Sequence, residues 1–250
     1  MHLQSLSRIS RTGLCTSLFS RLSLATRGLA LALLTIGGAS AQSVSPGCDW
    51  PYGYAPFDYR VNKLEAVERV HFPPHVEALI RGNTTNVIGA DINYMLGKVP
   101  NHHRALLSLV RLGERLKTDK IPGTKGPVGC YFERALSFRS DDTTVRLIYA
   151  TFLSKHAREP EATRQLELAA NDAGDNPFTH YNIGMVYFDM KNYDRALAQA
   201  QKAYGLGFSS PHLRDQLIAA GKWTESVAPS PVSIDGKSSD NSAATPAKSD

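Results

Sequence analysis

The chain has 250 residues, a formal net charge of +5 and three cysteines, and this length allows one or two domains with a substantial core. Residues 1–41 contain four arginines and no acidic residue, whereas the rest of the chain carries 24 basic and 23 acidic residues. A nucleic-acid-binding domain concentrates Lys and Arg on one face. The near balance after residue 41 therefore argues against a nucleic-acid partner.

Residues 1–41 have the parts of a secretory signal peptide. Scattered arginines precede the apolar run Gly28–Ile36, and small residues lead to Ala41 in an Ala-Ser-Ala site of the kind that is cleaved. The run is short for a membrane span, and no later segment is predicted to be transmembrane. We expect a secreted or periplasmic protein cleaved near Ala41. A mitochondrial transit peptide, which is also rich in Arg and Ser and poor in acids, is the alternative.

Cleavage would leave two cysteines, Cys48 and Cys130. In an oxidising compartment, two cysteines suggest one disulfide. In the chain-entropy model, a bridge that closes so long a loop contributes about 4–5 kcal/mol. The alternative is two separate small apolar residues without a bond.

The chain outside the long helical part divides into two further segments. Residues 42–100 start with the aromatic- and proline-rich stretch CDWPYGYAPFDYR at 48–60, whose composition is typical of a packed irregular segment. Helices are predicted after it at about 62–70, 74–81 and 90–98. Residues 226–250 are rich in Ser, Pro, Ala and Asp and lack aromatic residues, which predicts a disordered tail.

From residue 101 to about residue 220 the pattern is helical, and similar residues recur at a fixed period. Ala135, Ala169 and Ala203 are spaced by 34, and the same offset relates Ala150 to Gly184. We place the units at 101–141, 142–175 and 176–208. The candidate N-caps of their first helices are Asn101, Asp142 and Asn176, which leaves seven extra residues in the turn between the first two units.

A helix–turn–helix unit of about 34 residues resembles the tetratricopeptide repeat (TPR) family. The third unit is the most similar, because Ile183, Gly184 and Tyr187 stand where the family has its Leu-Gly…Tyr pattern. The resemblance implies an all-α solenoid of about three repeats over 101–208, a capping helix at 209–225 and a decayed earlier repeat within 42–100. The implied repeat core consists of Ala135, Ala150, Ala162, Ala169, Gly184, Tyr187, Ala196 and Ala203.

The resemblance also implies a concave groove lined by the first helix of each repeat. Its residues would be Phe178, Tyr181, Met185 and Phe188 in the third repeat, Leu147, Thr151 and Lys155 in the second, and His103 and Val110 in the first. The four apolar residues of the third repeat recur at spacings of three and four, so they form one stripe on a helix. The stripe is either a partner-binding surface or core that is covered by the terminal helix or by the N-terminal aromatic segment.

The sequence contains no recognisable catalytic motif, phosphate loop or dinucleotide fingerprint. Adjacent helical side chains such as His102 and His103 point in different directions and are poorly placed to chelate one ion. We therefore predict no catalytic residue, metal site or cofactor, and expect an exported, non-enzymatic scaffold or adaptor that binds a protein or peptide in its groove. The alternative is an envelope protein that binds a small molecule or metal between residues 48–100 and the repeats.

Overall fold

The computed structural model describes residues 44–52, 55–62 and 64–225, and every regular element in these ranges is a helix. The all-α fold class is therefore confirmed for this part of the chain. The predicted signal peptide at 1–41 and the predicted tail at 226–250 lie outside the described residues. Among the helices of the described ranges, none combines the length and the apolar character that crossing a membrane requires.

The described residues form ten helices. They are α1 (Glu65–His71), α2 (Pro74–Glu77), α3 (Ile88–Lys98), α4 (His103–Leu116), α5 (Val128–Phe138), α6 (Thr143–Lys155), α7 (Glu159–Asp172), α8 (Pro177–Asp189), α9 (Tyr193–Gly205) and α10 (His212–Ala219). The helix predicted at 74–81 is only one turn long. Leu79 has a φ of 60°, and the N–H of Ile80 bonds back to the carbonyl of His75 at 2.8 Å, which ends the helix early.

Helices α6 and α8 end in the same kind of turn, at positions that differ by 34 in sequence number. Ala157 and Lys191 have φ values of 56° and 60°, and each donates its N–H to the carbonyl three residues earlier. The next residue in each turn, Arg158 or Asn192, donates to the carbonyl five residues earlier. This pattern satisfies the terminal carbonyls of a helix and reverses the chain. Each turn is followed at once by a helix, α7 or α9, that packs closely against its predecessor.

Helix α4 ends in an equivalent turn at Lys117, whose φ is 53°. Its N-cap is His102, whose Nδ1 accepts a hydrogen bond from the N–H of Ala105 at 3.1 Å. The predicted cap, Asn101, is wrong by one residue, whereas Asp142 and Asn176 do cap α6 and α8. The cap and the turn of α4 therefore both precede those of α6 by 40 in sequence number. Compared with the spacing of 34 between the caps of α6 and α8, six extra residues lie between the first two units, and not seven.

The helices from α4 onward pack in two sets. Helices α4, α6 and α8, called here the first helices, contact one another in that order, and α10 continues the row against α8. Helix α5 packs against α4 and α6, and α7 packs against α6 and α8. In the same way, α9 packs against α8 and α10. The three first helices α4, α6 and α8 therefore lie side by side and form one continuous surface.

Small side chains allow this close packing. All the residues assigned above to the repeat core are buried, and each of the alanines is 0% exposed. A Cβ on Gly184 would lie 2.7 Å from Cδ2 of Leu213 and 3.3 Å from the carbonyl oxygen of Ala196. Glycine at this position therefore lets α10 approach α8 and α9.

The N-terminal aromatic segment is fixed onto α5. Cys48 and Cys130 lie at disulfide distance with their Cα atoms 5.0 Å apart, as predicted. Next to this bridge, the guanidinium of Arg134 lies 4.4 Å from the ring centroid of Trp50 and 4.1 Å from that of Tyr52. Arg134 also donates to the carbonyl of Trp50, while the Tyr52 hydroxyl donates to the carbonyl of Arg134 at 2.9 Å.

Candidate functional site: the exposed face of the first helices

Equivalent positions on the three first helices face solvent, and together they are called here the first-helix face. Equivalent positions differ by 34 in sequence number between α8 and α6, and by 40 between α6 and α4. The face consists of Phe178, Tyr181, Met185 and Phe188 on α8, Thr144, Leu147, Thr151 and Ser154 on α6, and Arg104, Leu107, Arg111 and Glu114 on α4. Each of these residues is exposed or half-buried.

Two residues predicted for this face in the first unit do not lie on it in this register. Val110 is 5% exposed, because it occupies the position that Ala150 and Gly184 hold in the later units and packs into the core. His103 is half-buried and turns toward Asp142. The residues that replace them, including Leu107 and Arg111, were missed because the first unit was aligned from Asn101 instead of from the true cap.

The α8 end of the face is aromatic. Phe178 is 61% exposed, while Tyr181, Met185 and Phe188 are half-buried. Phe208, which follows α9, stacks on Tyr181 with ring centroids 4.2 Å apart and lies 6.1 Å from Phe178. The result is an apolar cluster whose edge is open to solvent.

The two elements suggested as covers for this stripe pack elsewhere among the described residues. Helix α10 directs Leu213 toward Gly184, on the side of α8 that faces α9. The N-terminal segment places Trp50 and Tyr52 against Arg134 of α5 and Tyr59 against His102. Within the described ranges, the stripe is therefore only partly buried, and Phe208 is the residue outside α8 and α9 that stacks on it.

The middle of the face is polar. Lys155 at the end of α6 pairs with Glu114 of α4 through an Nζ–Oε1 distance of 2.7 Å. The hydroxyl of Thr151 donates to the carbonyl of Leu147 at 3.0 Å, so it is already satisfied within its helix. Lys155 and Glu114 are both exposed, so water screens the attraction between them and the pair adds little to stability.

The α4 end of the face is linked to α1 and α2 by ion pairs. Arg104 contacts the carboxylates of Glu68 and Glu77, and hydrogen bonds from Arg104 lower the pKa of Glu77. Arg111 lies two turns further along α4 and is exposed. The face thus changes from charged at α4, through polar at α6, to aromatic at α8.

A buried polar cluster lies beside this face, at the start of α4 and α6. The side-chain amide of Asn101 donates to Asp58 at 2.7 Å and to Asp142 at 2.9 Å. Arg60 pairs with Asp58 at 2.9 Å, and Nε2 of His103 lies 2.9 Å from Asp142. The cluster joins the segment at 58–60 to the caps of two helices that are far apart in sequence.

The two buried carboxylates of this cluster have lowered pKa values. Hydrogen bonds from Arg60 hold the pKa of Asp58 well below its usual range. Burial alone would raise the pKa of Asp142, but hydrogen bonds from His103 and Asn101 outweigh it and lower the pKa. Both groups are therefore permanent anions near neutral pH, which suits them to hold cations and amides in place.

His102 is a buried group next to this cluster, and its pKa is lowered. Burial lowers its pKa from 6.5 to about 4, so the imidazole is neutral near pH 7. Since Nδ1 accepts from the N–H of Ala105, Nε2 carries the proton and donates to Glu68 at 3.1 Å. The neutral ring thus caps α4 and connects it to α1.

The other histidines noted in the sequence lie near the turn at 82–87. Nδ1 of His71 lies 3.4 Å from the buried carboxylate of Asp91, and Nε2 of His75 lies 3.1 Å from Asn83. Asp91 also accepts hydrogen bonds from the backbone of Asn83 and Thr84, so it orders this turn. Across the described residues, no group of three or more His, Cys, Asp or Glu side chains is arranged to hold a metal ion.

Comparisons of this chain with protein-family models, with curated protein sequences and with solved structures found no match.

Proposed function

We propose that this chain is an exported, non-enzymatic scaffold of the tetratricopeptide-repeat type that binds a protein or peptide partner across its first-helix face. The binding partner contributes an apolar or aromatic anchor to the α8 end, at Phe178 and Tyr181. The rest of the partner segment crosses α6 toward α4. In this proposal nucleic acid is not a partner, and no cofactor takes part.

The repeat assignment is supported by the turns and caps. The same pair of backbone hydrogen bonds closes α6 and α8, and the equivalent residues differ by 34 in sequence number, as do the caps Asp142 and Asn176. Buried alanines recur at this period as well. The turns, the caps and the buried alanines are independent features, and all of them give the same spacing. A repeated helix pair requires this agreement.

The observation that carries the binding proposal is the exposure of Phe178. Phe178 is 61% exposed, and contact between an aromatic ring and water is unfavourable. Covering the ring with a binding partner would therefore contribute favourably to the free energy of binding. Phe178 stands next to Tyr181 and Phe208, so the exposed area is a cluster rather than an isolated side chain. Clustered aromatic and methionine residues are common anchors at protein interfaces.

A site-specific photo-crosslinking scan tests this proposal. The photoreactive phenylalanine analogue benzoylphenylalanine would replace Phe178, Leu107 or Ile218 in the full chain expressed with its own leader. Phe178 and Leu107 lie on the face, whereas Ile218 of α10 is comparably exposed at 52% but lies off it. We expect a discrete adduct of the same mass from the two positions on the face and none from position 218.

Two results would contradict the proposal. Adducts of equal yield at all three positions would indicate non-specific contact with an exposed apolar group. Adducts at position 218 alone would place the interface at α10, away from the first-helix face. In an independent arm, a peptide library selected on the purified chain should yield sequences with an aromatic or aliphatic anchor, and Phe178→Ala should weaken their binding by about 2 kcal/mol.

A further inference from the structure

The described part of the chain ends against α9 and α10. The ring of Trp223 packs edge-on against the ring of Tyr204 in α9, with centroids 5.9 Å apart. The carbonyl of Thr224 accepts a hydrogen bond from a side chain of α9 at 2.8 Å, and Glu225 pairs with Arg214 of α10 at 2.7 Å. These contacts fix the point from which the chain continues.

This point lies near the apolar cluster at the α8 end of the first-helix face. The hydroxyl of Tyr204 accepts a hydrogen bond from the backbone N–H of Arg214 at 3.1 Å and donates one to the carbonyl of Ser210 at 3.0 Å. Ser210 follows Phe208 by two residues, and the ring of Phe208 is part of the apolar cluster. A short series of contacts therefore joins the last described residue to this cluster.

The sequence that follows is apolar first and charged later. Residues 226–250 lie beyond the described part of the chain, and their aliphatic residues larger than alanine all fall within residues 226–234, called here the proximal tail: Val227, Val232 and Ile234. The proximal tail has no charged residue, whereas residues 235–250 contain five. Pro229 and Pro231 favour an extended backbone for the residues around them.

An apolar segment with prolines suits the apolar cluster. Extended proline-rich segments bind surfaces lined by aromatic rings, because they lose little conformational entropy on binding. The nine residues of the proximal tail reach up to about 30 Å when extended. Their attachment near the cluster gives them an effective concentration on the order of millimolar. Even a weak contact is therefore populated in the absence of a partner.

We propose that the proximal tail docks on the apolar cluster and competes there with the binding partner. Its prolines and aliphatic side chains cover the exposed edge of Phe178, and a partner must displace them. The competition rests on the function proposed above. The contact within the chain does not, because it requires no partner.

A spin label in the proximal tail tests the contact directly. Ser233→Cys places the label between two aliphatic residues, and in an extended segment its side chain points away from theirs. The label would be attached to the full, disulfide-bonded chain, with Cys15→Ser to remove the third cysteine. We expect the label to accelerate the NMR relaxation of the backbone amides of Phe178 and Phe208.

Matched variants separate docking from mere proximity of the tail. Val232→Asp with Ile234→Asp adds two charges to the proximal tail, whereas Ala243→Asp with Ala244→Asp adds two charges further along the chain. The relaxation enhancement at Phe178 should fall at least about threefold in the first variant and stay unchanged in the second. The affinity for a peptide selected on the wild-type chain should rise at least about threefold in the first variant, because the cluster is then free. It should stay unchanged in the second.

Equal relaxation enhancement in the two variants would overturn the docking. An enhancement seen only when spin-labelled chains are mixed with isotope-labelled ones would assign the occupant to a second copy, which also overturns it. Docking with an unchanged peptide affinity would overturn the competition. If docking is absent and the selected peptide still binds, this inference fails alone. If docking is present and no peptide can be selected, the function proposed above fails and the contact within the chain stands.

Discussion

The two parts of the described chain are held together in different ways. From 142 to 208, α6 and α8 each begin at a side-chain cap and end in the same turn, small core residues recur, and most contacts join neighbouring helices. From 44 to 141, the structure depends on links between distant residues, such as the Cys48–Cys130 bridge and the contact of Asn101 with Asp58. Asn101 also contacts Asp142, so this network reaches the cap of α6.

This difference predicts different responses to mutation. In the repeated part, a substitution changes the local packing, and its cost follows the volume removed or added. In the N-terminal part, removing one member of a polar cluster leaves its partners buried and unpaired, which costs more than the lost contact itself. The predictions below are ordered by the expected loss of unfolding free energy.

The largest loss is expected for Asp142→Ala. Asp142 is 1% exposed, caps α6, and accepts from Asn101 and His103, so its removal leaves several buried donors without a partner. We expect a loss of about 3–5 kcal/mol in urea unfolding. The neighbour Asp141 contacts Arg60 but has a side chain 66% exposed, and Asp141→Ala should cost less than about 1 kcal/mol. Equal losses in the two variants would refute this account of the cluster.

Removing the disulfide should have the next largest effect, and a local one. Replacing Cys48 and Cys130 with serine should cost about 2–4 kcal/mol, because the unfolded chain regains the freedom of a long loop. Amide hydrogen exchange should accelerate in residues 44–62 and stay unchanged in α8 and α9. Faster exchange across both parts would show that the repeated part is not independent of the N-terminal segment.

Acid should weaken the fold through His102. Because burial lowers its pKa from 6.5 to about 4, the stability that depends on neutral His102 is complete above pH 6.5 and is lost as the pH falls toward 4. The shift corresponds to up to about 3 kcal/mol. His102→Asn keeps a capping side chain that does not titrate, so its unfolding free energy should fall less over this pH range. Parallel curves for variant and wild type would exclude His102 as the cause.

Sequence reasoning identified the N-caps of α6 and α8 correctly because these signals are local. Alanines and caps at fixed spacing, such as Asp142 and Asn176, identify helix ends directly. The first unit was misaligned by one residue, since Asn101 is a better capping residue than His102 by propensity. Only the three-dimensional arrangement shows that the side chain of Asn101 donates instead to the buried carboxylates of Asp58 and Asp142. As a consequence, Val110 was assigned to the exposed face although it fills a core position.

The N-terminal part could be predicted only in outline. The aromatic composition of residues 48–60 indicated packing, and the cysteine count indicated the bridge, but neither specifies a packing partner. The stacking of Trp50 and Tyr52 on Arg134 and the network around Asp58 join residues that are far apart in the sequence. No periodicity marks such pairs in a single sequence.

The central claim, that the first-helix face binds a partner, is tested most directly by measuring affinity and stability together in Phe178→Ala. The ligand would be a peptide selected on the wild-type chain, and Ile218→Ala would be the matched control. We expect Phe178→Ala to weaken binding by about 2 kcal/mol while the unfolding free energy changes by less than about 0.5 kcal/mol. Ile218→Ala should leave the affinity unchanged. Unchanged affinity in Phe178→Ala, or a loss of several kcal/mol in its stability, would contradict the account.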